Sequence, residues 1–359
     1  MRLKHLLLGS LMLVSSACFA QLPNLRSEAS EVASKMYPGW NLGNTMEANN
    51  NGTNFSNNVG LSGETSWHGT KTTKAIIDFV KSKGFKSVRI PCNWVCGHIS
   101  DASACTIDAA WMTRVKEIVD YCISDGLYVV LNDHYDGGWV ERSFGDISDA
   151  AITKNSATMK LIWTQIANEF KDYDEHLLFA GLNEPDVSNQ KQTDALLKYE
   201  QAFVDAVRAT GGNNETRTLI VQGPSTDIDK TVNYFSAMPT DAVANRLMVE
   251  VHYYSPSQFT GVWENGKPYY FWGAANHVPS GSYKNYNSTW GEESELSAQF
   301  NKMKAKFADK GIPVLLGEFG ANWRSIGNTA AQKKHDASIK LFNKLVVQNA
   351  INCGMVPMV

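Results

Sequence analysis

Short apolar runs of three to five residues alternate with longer amphipathic stretches from about residue 36 to the end of the chain. Runs such as Leu127 to Leu131 are apolar at nearly every position, which indicates strands buried on both faces, as in a parallel sheet. Eight strands are predicted: Trp40 to Leu42, Ser87 to Ile90, Leu127 to Leu131, Leu178 to Leu182, Thr218 to Val221, Leu247 to Val251, Val314 to Leu316 and Met355 to Val359.

Helical periodicity fills the intervals between these strands. In Ala109 to Ser124 the apolar residues recur at three- and four-residue steps, and Asp108 is placed as the N-cap. Five similar stretches are Thr72 to Lys83, Ala157 to Phe170, Thr193 to Thr210, Ser294 to Lys310 and Thr329 to Asn349. Repeated strand–helix units predict a parallel sheet, and 359 residues suit either two domains or one (β/α)₈ barrel with loop insertions.

Residues 1–20 are predicted to be a secretory signal peptide. Arg2 and Lys4 precede the apolar run Leu6 to Val14, and small residues lead to Ala20. This run is too short to span a bilayer, and a buried core helix is the alternative. Cys18 is a candidate for lipidation, although a serine stands where a lipobox prefers leucine. We expect residues 21–359 to be secreted, periplasmic or attached to the cell surface.

Charge and cysteine content exclude some classes of function. Without residues 1–20, 31 basic and 36 acidic residues give a formal charge of −5, a surface without affinity for nucleic acid or anionic lipid. An oxidising compartment permits a disulfide, for which Cys96 and Cys105 are the pair to test, and the odd number of cysteines leaves a free thiol. Cys92 and Cys96 lack a second pair at zinc-ligand spacing, so neither a metal nor another cofactor is expected.

Polar residues directly follow four of the predicted strands, at Asn132 to His134, Asn183 and Glu184, His252 to Tyr254, and Glu318. In a barrel the carboxyl ends of the strands surround one shared mouth. Glu184 and Glu318 end runs that should otherwise be interior, where a carboxylate is costly unless it is paired or hydrogen-bonded. A functional site is the better explanation for both.

Two carboxyl groups at one barrel mouth can hydrolyse a glycosidic bond. Hydrolysis with retention needs them about 5 Å apart, one protonated to donate to the leaving oxygen and one ionised to attack the anomeric carbon. Repulsion between the two groups and partial desolvation would raise the pKa of the acid, while nearby donors would keep the nucleophile ionised.

Six short motifs support this interpretation by their order. They are Gly39-Trp-Asn-Leu-Gly-Asn-Thr45, Val88-Arg89-Ile-Pro91, Asn132-x-His134, Asn183-Glu184-Pro185, His252-x-Tyr254 and Gly317-Glu318-Phe-Gly320. Their succession at strand ends resembles glycoside hydrolase family 5, a family of (β/α)₈ cellulases, over roughly residues 36–359. Each motif is weak alone, whereas six in order are highly specific.

The resemblance implies a role for each matched residue. Glu184, in Asn-Glu-Pro, is similar to the family's acid/base, and Glu318, in Gly-Glu-Phe-Gly, is similar to its nucleophile. Asn183 resembles the residue that binds the 2-hydroxyl of the sugar, a contact that strengthens in the transition state.

Four further residues resemble the family's substrate-site groups. Arg89 and Tyr254 match groups that hydrogen-bond the nucleophile and keep it ionised and oriented. His134 and His252 match residues that position the substrate or orient the acid. Arg89 has an alternative as a purely structural partner for a carboxylate, and His252 has one as a core histidine.

The sequence departs from the family pattern at two places. Tyr135 stands where the commonest family version has a second histidine after His134, so substrate contacts there are expected to differ. The family normally carries a tryptophan directly after strand eight, as the floor of the reacting sugar's subsite, whereas this sequence ends at Pro357-Met358-Val359. We therefore expect a fragment or an imperfectly closed barrel without its last helix, of low thermal stability and reduced activity.

Aromatic residues predict a carbohydrate cleft. Flat rings stack on β-linked glucose or mannose, although about half of the candidates are expected to be ordinary packing. The segment Tyr253 to Glu292 is too long for a simple connection and predicts a functional loop beside the cleft. The candidate cleft residues are Trp67, Trp94, Trp139, Trp263, Trp272, Trp290 and Trp323.

The first functional hypothesis is a secreted, monomeric endo-β-1,4-glucanase acting on β-linked polysaccharide, because an open cleft favours attack within a polymer. Mannan, xyloglucan and mixed-linkage glucan remain alternative substrates, since discrimination at one hydroxyl depends on side chains outside the motifs. A non-catalytic glycan-binding protein and a metal-dependent hydrolase on the same barrel are alternatives from other classes. Replacement of Glu318 and treatment with a chelator separate them.

Overall fold

Eight parallel strands make the central sheet in a computed structural model that describes residues 28–261 and 266–359. In chain order they are β1 (Gly39–Asn41), β2 (Ser87–Ile90), β3 (Tyr128–Asn132), β4 (Leu177–Ala180), β5 (Leu219–Gln222), β6 (Leu247–Tyr253), β7 (Val314–Phe319) and β8 (Met355–Pro357). Each strand pairs with the next, and a bridge between Gly39 and Met358 joins β8 to β1. The sheet is nearly closed, and the predicted (β/α)₈ barrel is confirmed.

Seven helices alternate with these strands. They are α1 (Lys74–Ser82), α2 (Ala109–Ser124), α3 (Asp149–Glu169), α4 (Gln190–Ala209), α5 (Ile228–Tyr234), α6 (Glu293–Lys306) and α7 (Thr329–Asn352). The predicted N-cap is confirmed, because the side chain of Asp108 accepts from the backbone N–H of Trp111 at 2.9 Å. The stretch predicted for α3, Ala157 to Phe170, begins eight residues too late. No helix is predicted at α5, which is too short to show a clear periodicity. Within the described ranges, no helix follows β8.

The strands are buried on both faces, as their composition predicts. In β3, Tyr128 and Val130 belong to the cluster that fills the barrel, while Val129 and Leu131 belong to the layer between barrel and helices. A short helix, Glu28–Ala33, packs its apolar residues into the interior cluster, and the backbone N–H of Ala29 donates to Asn245 just before β6. This unpredicted helix closes the amino-terminal end of the barrel.

A β-bulge in β7 determines where Glu318 points. The pairing with β6 runs through Val251 and Leu316, then continues at His252 and Glu318, so Gly317 is an extra residue. Strict alternation would place Glu318 on the helix side with Leu316. The extra residue reverses that direction and turns the carboxylate into the barrel mouth beside His252.

The five cysteines among the described residues are free thiols. Cys96 and Cys105, the candidate disulfide pair, are both buried and unbridged. Cys105 packs in the layer between barrel and helices, whereas Cys96 lies against the loop at Gly137. Burial raises the pKa of both thiols to about 11, which keeps them protonated and unreactive.

The predicted signal peptide and Cys18 lie outside the described residues. In the part of the chain that the structure describes, no helix combines the length and apolarity that a membrane span requires.

Candidate active site

Glu318 is held by donors from two other strands. Arg89, on β2, donates through Nη1 to Oε1 at 3.0 Å, and the hydroxyl of Tyr254, just after β6, donates to Oε2 at 3.0 Å. Burial alone would raise the pKa of Glu318, but the positive charges of His252 and Arg89, with the Tyr254 bond, lower it to about 2. The carboxylate is therefore ionised throughout the pH range in which the protein would work.

Glu184 faces Glu318 across the mouth from the loop after β4. Its side chain is 45% exposed, and Nδ1 of His252 lies 2.7 Å from its Oε1. One carboxylate oxygen of each glutamate and Nδ1 of His252 all lie within 4.8 Å of one another. The two acids predicted from the sequence therefore meet, one in contact with solvent and one enclosed.

His252 lies between two carboxylates. Its Nδ1 contacts Glu184, and its Nε2 lies 3.2 Å from Oε1 of Glu250. Both ring nitrogens must donate to satisfy these partners, which requires the imidazolium form. Burial would lower the pKa of His252, but Glu318, Glu184 and Glu250 together raise it to about 10.

Arg89 also holds the side chain of Asn183, the residue before Glu184. Its Nη2 donates to Oδ1 of Asn183 at 2.8 Å, so the carbonyl oxygen of this amide faces Arg89 and its NH₂ group is the remaining donor. His134 follows β3, with Nδ1 3.3 Å from the side-chain nitrogen of Asn132. Burial, together with the charge of Arg89, lowers the pKa of His134 to about 4, so its ring is neutral.

The seven predicted site residues thus occupy one barrel mouth. Six are joined by direct contacts, namely Arg89, Asn183, Glu184, His252, Tyr254 and Glu318. His134 is near enough to be influenced by Arg89, Glu318 and Glu184. Arg89 serves both of its proposed purposes, because it contacts a structural carboxylate, Glu250, as well as Glu318.

Two acidic residues in the site are additions to the predicted set. Oε1 of the buried Glu141 accepts from the backbone N–H groups of Asn183 and Glu184 at 2.8 and 2.7 Å, which fixes this loop. Burial raises the pKa of Glu141 to about 8. Glu250 lies inside the predicted strand Leu247 to Val251, and an acid within an apolar run is a sequence signal for a functional or paired carboxylate. Glu141 lies in a loop, where the sequence carries no such signal.

A cleft of about 590 Å³ opens beside Glu184, and Arg142, Tyr254 and Trp290 line it. Of the predicted cleft tryptophans, Trp94 and Trp272 are fully buried, and the indole of each donates to a backbone carbonyl, so these two are packing residues. Trp139 is nearly buried, Trp67 and Trp323 are exposed outside the cleft lining, and Trp263 lies outside the described residues. The predicted loop Tyr253 to Glu292 does border the cleft, through Tyr254 and Trp290.

Replacing Tyr254 by phenylalanine should move the acid limb of the pH–rate profile. A hydrogen bond to a charged acceptor contributes about 1.5–3 kcal/mol, and one pKa unit corresponds to about 1.4 kcal/mol. Loss of the hydroxyl raises the pKa of Glu318, so activity should disappear about one to two pH units higher as the pH falls. The measurement is kcat/KM against pH.

Tyr253→Phe is the matched control, because the Tyr253 hydroxyl is buried without a hydrogen-bond partner among the described residues. That variant should keep the wild-type profile. An unchanged acid limb in Tyr254→Phe would contradict the role of the hydroxyl.

Gly317→Ala should destabilise the protein. A Cβ at Gly317 would lie 1.9 Å from Oε1 of Glu250, a side chain that its ion pairs hold in place. Overpacking of this kind costs about 1–3 kcal/mol in the free energy of unfolding. Gly320→Ala, where the added Cβ meets nothing within 4 Å, is the control for a urea denaturation experiment. Equal stability of the two variants would show that the space is not restricted.

The barrel, the two opposed carboxylates and the adjoining cleft together define a glycoside hydrolase. The family model described as Cellulase (glycosyl hydrolase family 5) matches residues 46–355, and the chain belongs to this family.

Relatives of two kinds resemble the chain. Endoglucanase A of Paenibacillus barcinonensis is 36% identical over 97% of this chain and 88% of its own length. The xyloglucan-specific endo-β-1,4-glucanase BoGH5A of Bacteroides ovatus is 34% identical over 91% of this chain and 64% of its own length.

Among solved structures, XEG5B, a xyloglucan-specific β-1,4-glucanase from a ruminal metagenomic library in complex with XXLG, is 49% identical, with a TM-score of 0.83 over 92% of this chain and 85% of its own. A broad-specificity endoglucanase from Bacteroides salanitronis is 35% identical, with a TM-score of 0.79 over 96% of this chain and 87% of its own.

Proposed function

We propose that this protein is an endo-β-1,4-glucanase that hydrolyses β-linked glucans with retention of configuration. One observation carries the mechanism: a carboxylate oxygen of Glu184 lies within 4.8 Å of one of Glu318. Retaining enzymes place these groups about 5–5.5 Å apart, whereas inverting enzymes leave about 6.5–9.5 Å for a water molecule. The spacing leaves no room for that water and favours direct attack by a carboxylate.

In the first step Glu318 is the nucleophile and Glu184 the acid. A Glu318 oxygen bonds to the anomeric carbon as the bond to the glycosidic oxygen breaks, and the proton of Glu184 passes to that oxygen. The low pKa of Glu318 keeps its electron pair available. Asn183, oriented by Arg89, donates to the 2-hydroxyl, while His252 donates to Glu184 as its negative charge forms.

In the second step Glu184 acts as a base. Glu184, now ionised, takes a proton from water, the water oxygen bonds to the anomeric carbon, and the ester bond to Glu318 breaks. The partial exposure of Glu184 supports this step, because water reaches its carboxylate directly. Two inversions give overall retention, and both glutamates return to their starting protonation states.

Xyloglucan is the second candidate substrate. The specific observation in its favour is 49% identity to a xyloglucan-specific β-1,4-glucanase, higher than the 35% to a broad-specificity endoglucanase. The cleft beside Glu184 is open, so a branched polysaccharide chain can enter it as well as a linear one. Secretion, suggested by residues 1–20, and a monomeric state belong to the same proposal.

The test is hydrolysis of carboxymethylcellulose, mixed-linkage β-glucan, xyloglucan and glucomannan, with reducing ends and viscosity followed together. An endo-acting enzyme lowers the viscosity well before many reducing ends accumulate. Proton NMR of the first product should show the β-anomer, and an initial α-anomer would contradict retention. Xyloglucan as the best substrate would select the second candidate.

The same assay separates the alternatives from other classes. A non-catalytic glycan-binding protein would release no reducing ends from any of the four polysaccharides. It would still migrate more slowly in an affinity gel that contains one of them. A metal-dependent hydrolase would lose activity in EDTA. We expect EDTA to have no effect, because His252 and Arg89 already supply positive charge beside Glu318.

A further inference from the structure

Glu250 occupies the centre of the charge network beneath the barrel mouth. Its side chain is fully buried, and its Oε1 lies 3.0 Å from Nε of Arg89 and 3.2 Å from Nε2 of His252. The other oxygen, Oε2, accepts from Nε2 of Gln222 at 2.6 Å. Burial opposes ionisation, but Arg89 and His252 lower the pKa of Glu250, so it is a carboxylate.

The two cations that Glu250 contacts have separate partners at the surface of the site. Arg89 contacts Glu318 and Asn183, whereas His252 contacts Glu184. Glu250 is therefore a common counterion for the group that holds the nucleophile and the group that holds the acid/base. With Glu184 protonated, Glu250 and Glu318 balance Arg89 and His252, and the buried cluster is neutral.

The fold reserves space for this carboxylate. Oε1 of Glu250 occupies the position that a side chain at residue 317 would take, since a Cβ there would lie 1.9 Å away. Gln222 is itself fixed, because its Oε1 accepts from the backbone N–H of Leu182 at 2.7 Å. Both of the strands that flank β6 thus help to hold Glu250.

We propose that Glu250 is a positioning residue for the reaction. It keeps His252 protonated and Arg89 oriented, and these two residues hold the carboxyl groups of Glu184 and Glu318 in place. This inference rests on the proposed function, since it assigns Glu250 to the same two-carboxylate site. Glu250 is fully buried and does not line the cleft, so its removal should lower kcat and leave KM unchanged.

The charges around His252 determine its protonation state. Glu184 and Glu318 face it from the loop after β4 and from β7, and Glu250 faces it from its own strand. The neutral ring of His134 is near enough to interact with both Arg89 and His252, and Tyr254 bonds to Glu318. An opposite charge at contact distance raises a histidine pKa by about one to three units, so loss of Glu250 should let His252 deprotonate at lower pH.

The test compares Glu250→Gln with Glu200→Gln. Glu200 is equally buried and accepts from the backbone N–H of Gln222 at 2.9 Å, but it contacts neither cation. Burial raises the pKa of Glu200 to about 8, so its carboxyl is already uncharged at pH 7 and an amide changes little. Glu250→Gln should lower kcat about 100-fold, the usual effect of misplacing catalytic groups by about 1 Å. The pKa of the His252 ring, followed by its NMR titration, should fall by at least about one unit, while Glu200→Gln keeps both properties.

Glu250→Asp covers the case in which Glu250→Gln does not fold. Aspartate keeps the charge but reaches one methylene less far, so kcat should fall by about tenfold, less than in Glu250→Gln, while the pKa of His252 stays near its wild-type value. A wild-type kcat and a wild-type His252 titration in every folded Glu250 variant, or an equal loss in Glu200→Gln, would overturn the inference. Glu318→Gln in the same assay tests the proposed function separately: full activity there refutes the two-carboxylate mechanism, whereas loss there with an active Glu250→Gln refutes only the role of Glu250.

Discussion

Glu318→Gln is expected to lower kcat on soluble β-glucan by on the order of 10⁴-fold or more. The amide keeps the shape of the side chain, but it has no negative charge with which to attack the anomeric carbon. Removal of a nucleophile that acts in concert with other groups costs about as much as removal of the whole catalytic set. The donors Arg89 and Tyr254 would remain in place, so the loss should appear in kcat and not in folding.

Covalent trapping provides a second measurement of the same effect. A 2-deoxy-2-fluoro glucoside with a good leaving group should add one sugar mass to the wild-type protein and none to Glu318→Gln. Peptide mapping should place the label on Glu318. A label on another residue, or an active Glu318→Gln variant, would refute the assigned nucleophile.

Glu184→Ala is expected to show an effect that depends on the leaving group. On polysaccharide, kcat should fall by about 10³-fold, within the usual 10²–10⁴-fold contribution of a general acid or base. On a 2,4-dinitrophenyl cellobioside, which needs no protonation of its leaving group, a rapid burst of phenolate should precede slow turnover. The burst shows that attack by Glu318 is intact, and the slow phase shows that water lacks its base.

Azide provides the decisive check on Glu184. A small anion that needs no base should restore turnover in Glu184→Ala and give a β-glycosyl azide, because it attacks from the face where Glu184 stood. Glu175→Gln is the control, an exposed acid paired with Lys35 just before β4, at the opposite end of the barrel. Rescue that is absent, or equal losses on both substrates, would remove Glu184 from the acid/base role.

Local residue patterns were sufficient for the strands and for the residues that follow them. Periodicity and apolar runs placed all eight barrel strands to within a few residues, because burial on both faces leaves a direct mark on composition. Glu184 and Glu318 were recognisable as acids at the ends of such runs. The bulge at Gly317 was not, since a register shift depends on how two strands pair and not on the composition of either one.

Aromatic residues show the opposite case, in which composition misleads. Trp94, Trp272 and Trp290 look alike in sequence, each in a loop, yet the first two are fully buried and only Trp290 lines the cleft. Exposure depends on which loops pack over one another, a property of the assembled barrel.

The sequence by itself determined the eight-stranded barrel, the family and the two acids, because each depends on residues close together in the chain. The tertiary structure alone decided how these groups are charged and aimed. Arg89 reaches Glu318 across 229 positions of sequence, and Glu250 joins Arg89 to His252 in the buried centre. A pKa depends on the distances and burial of all neighbouring charges, and those distances exist only when strands far apart in sequence meet at one mouth.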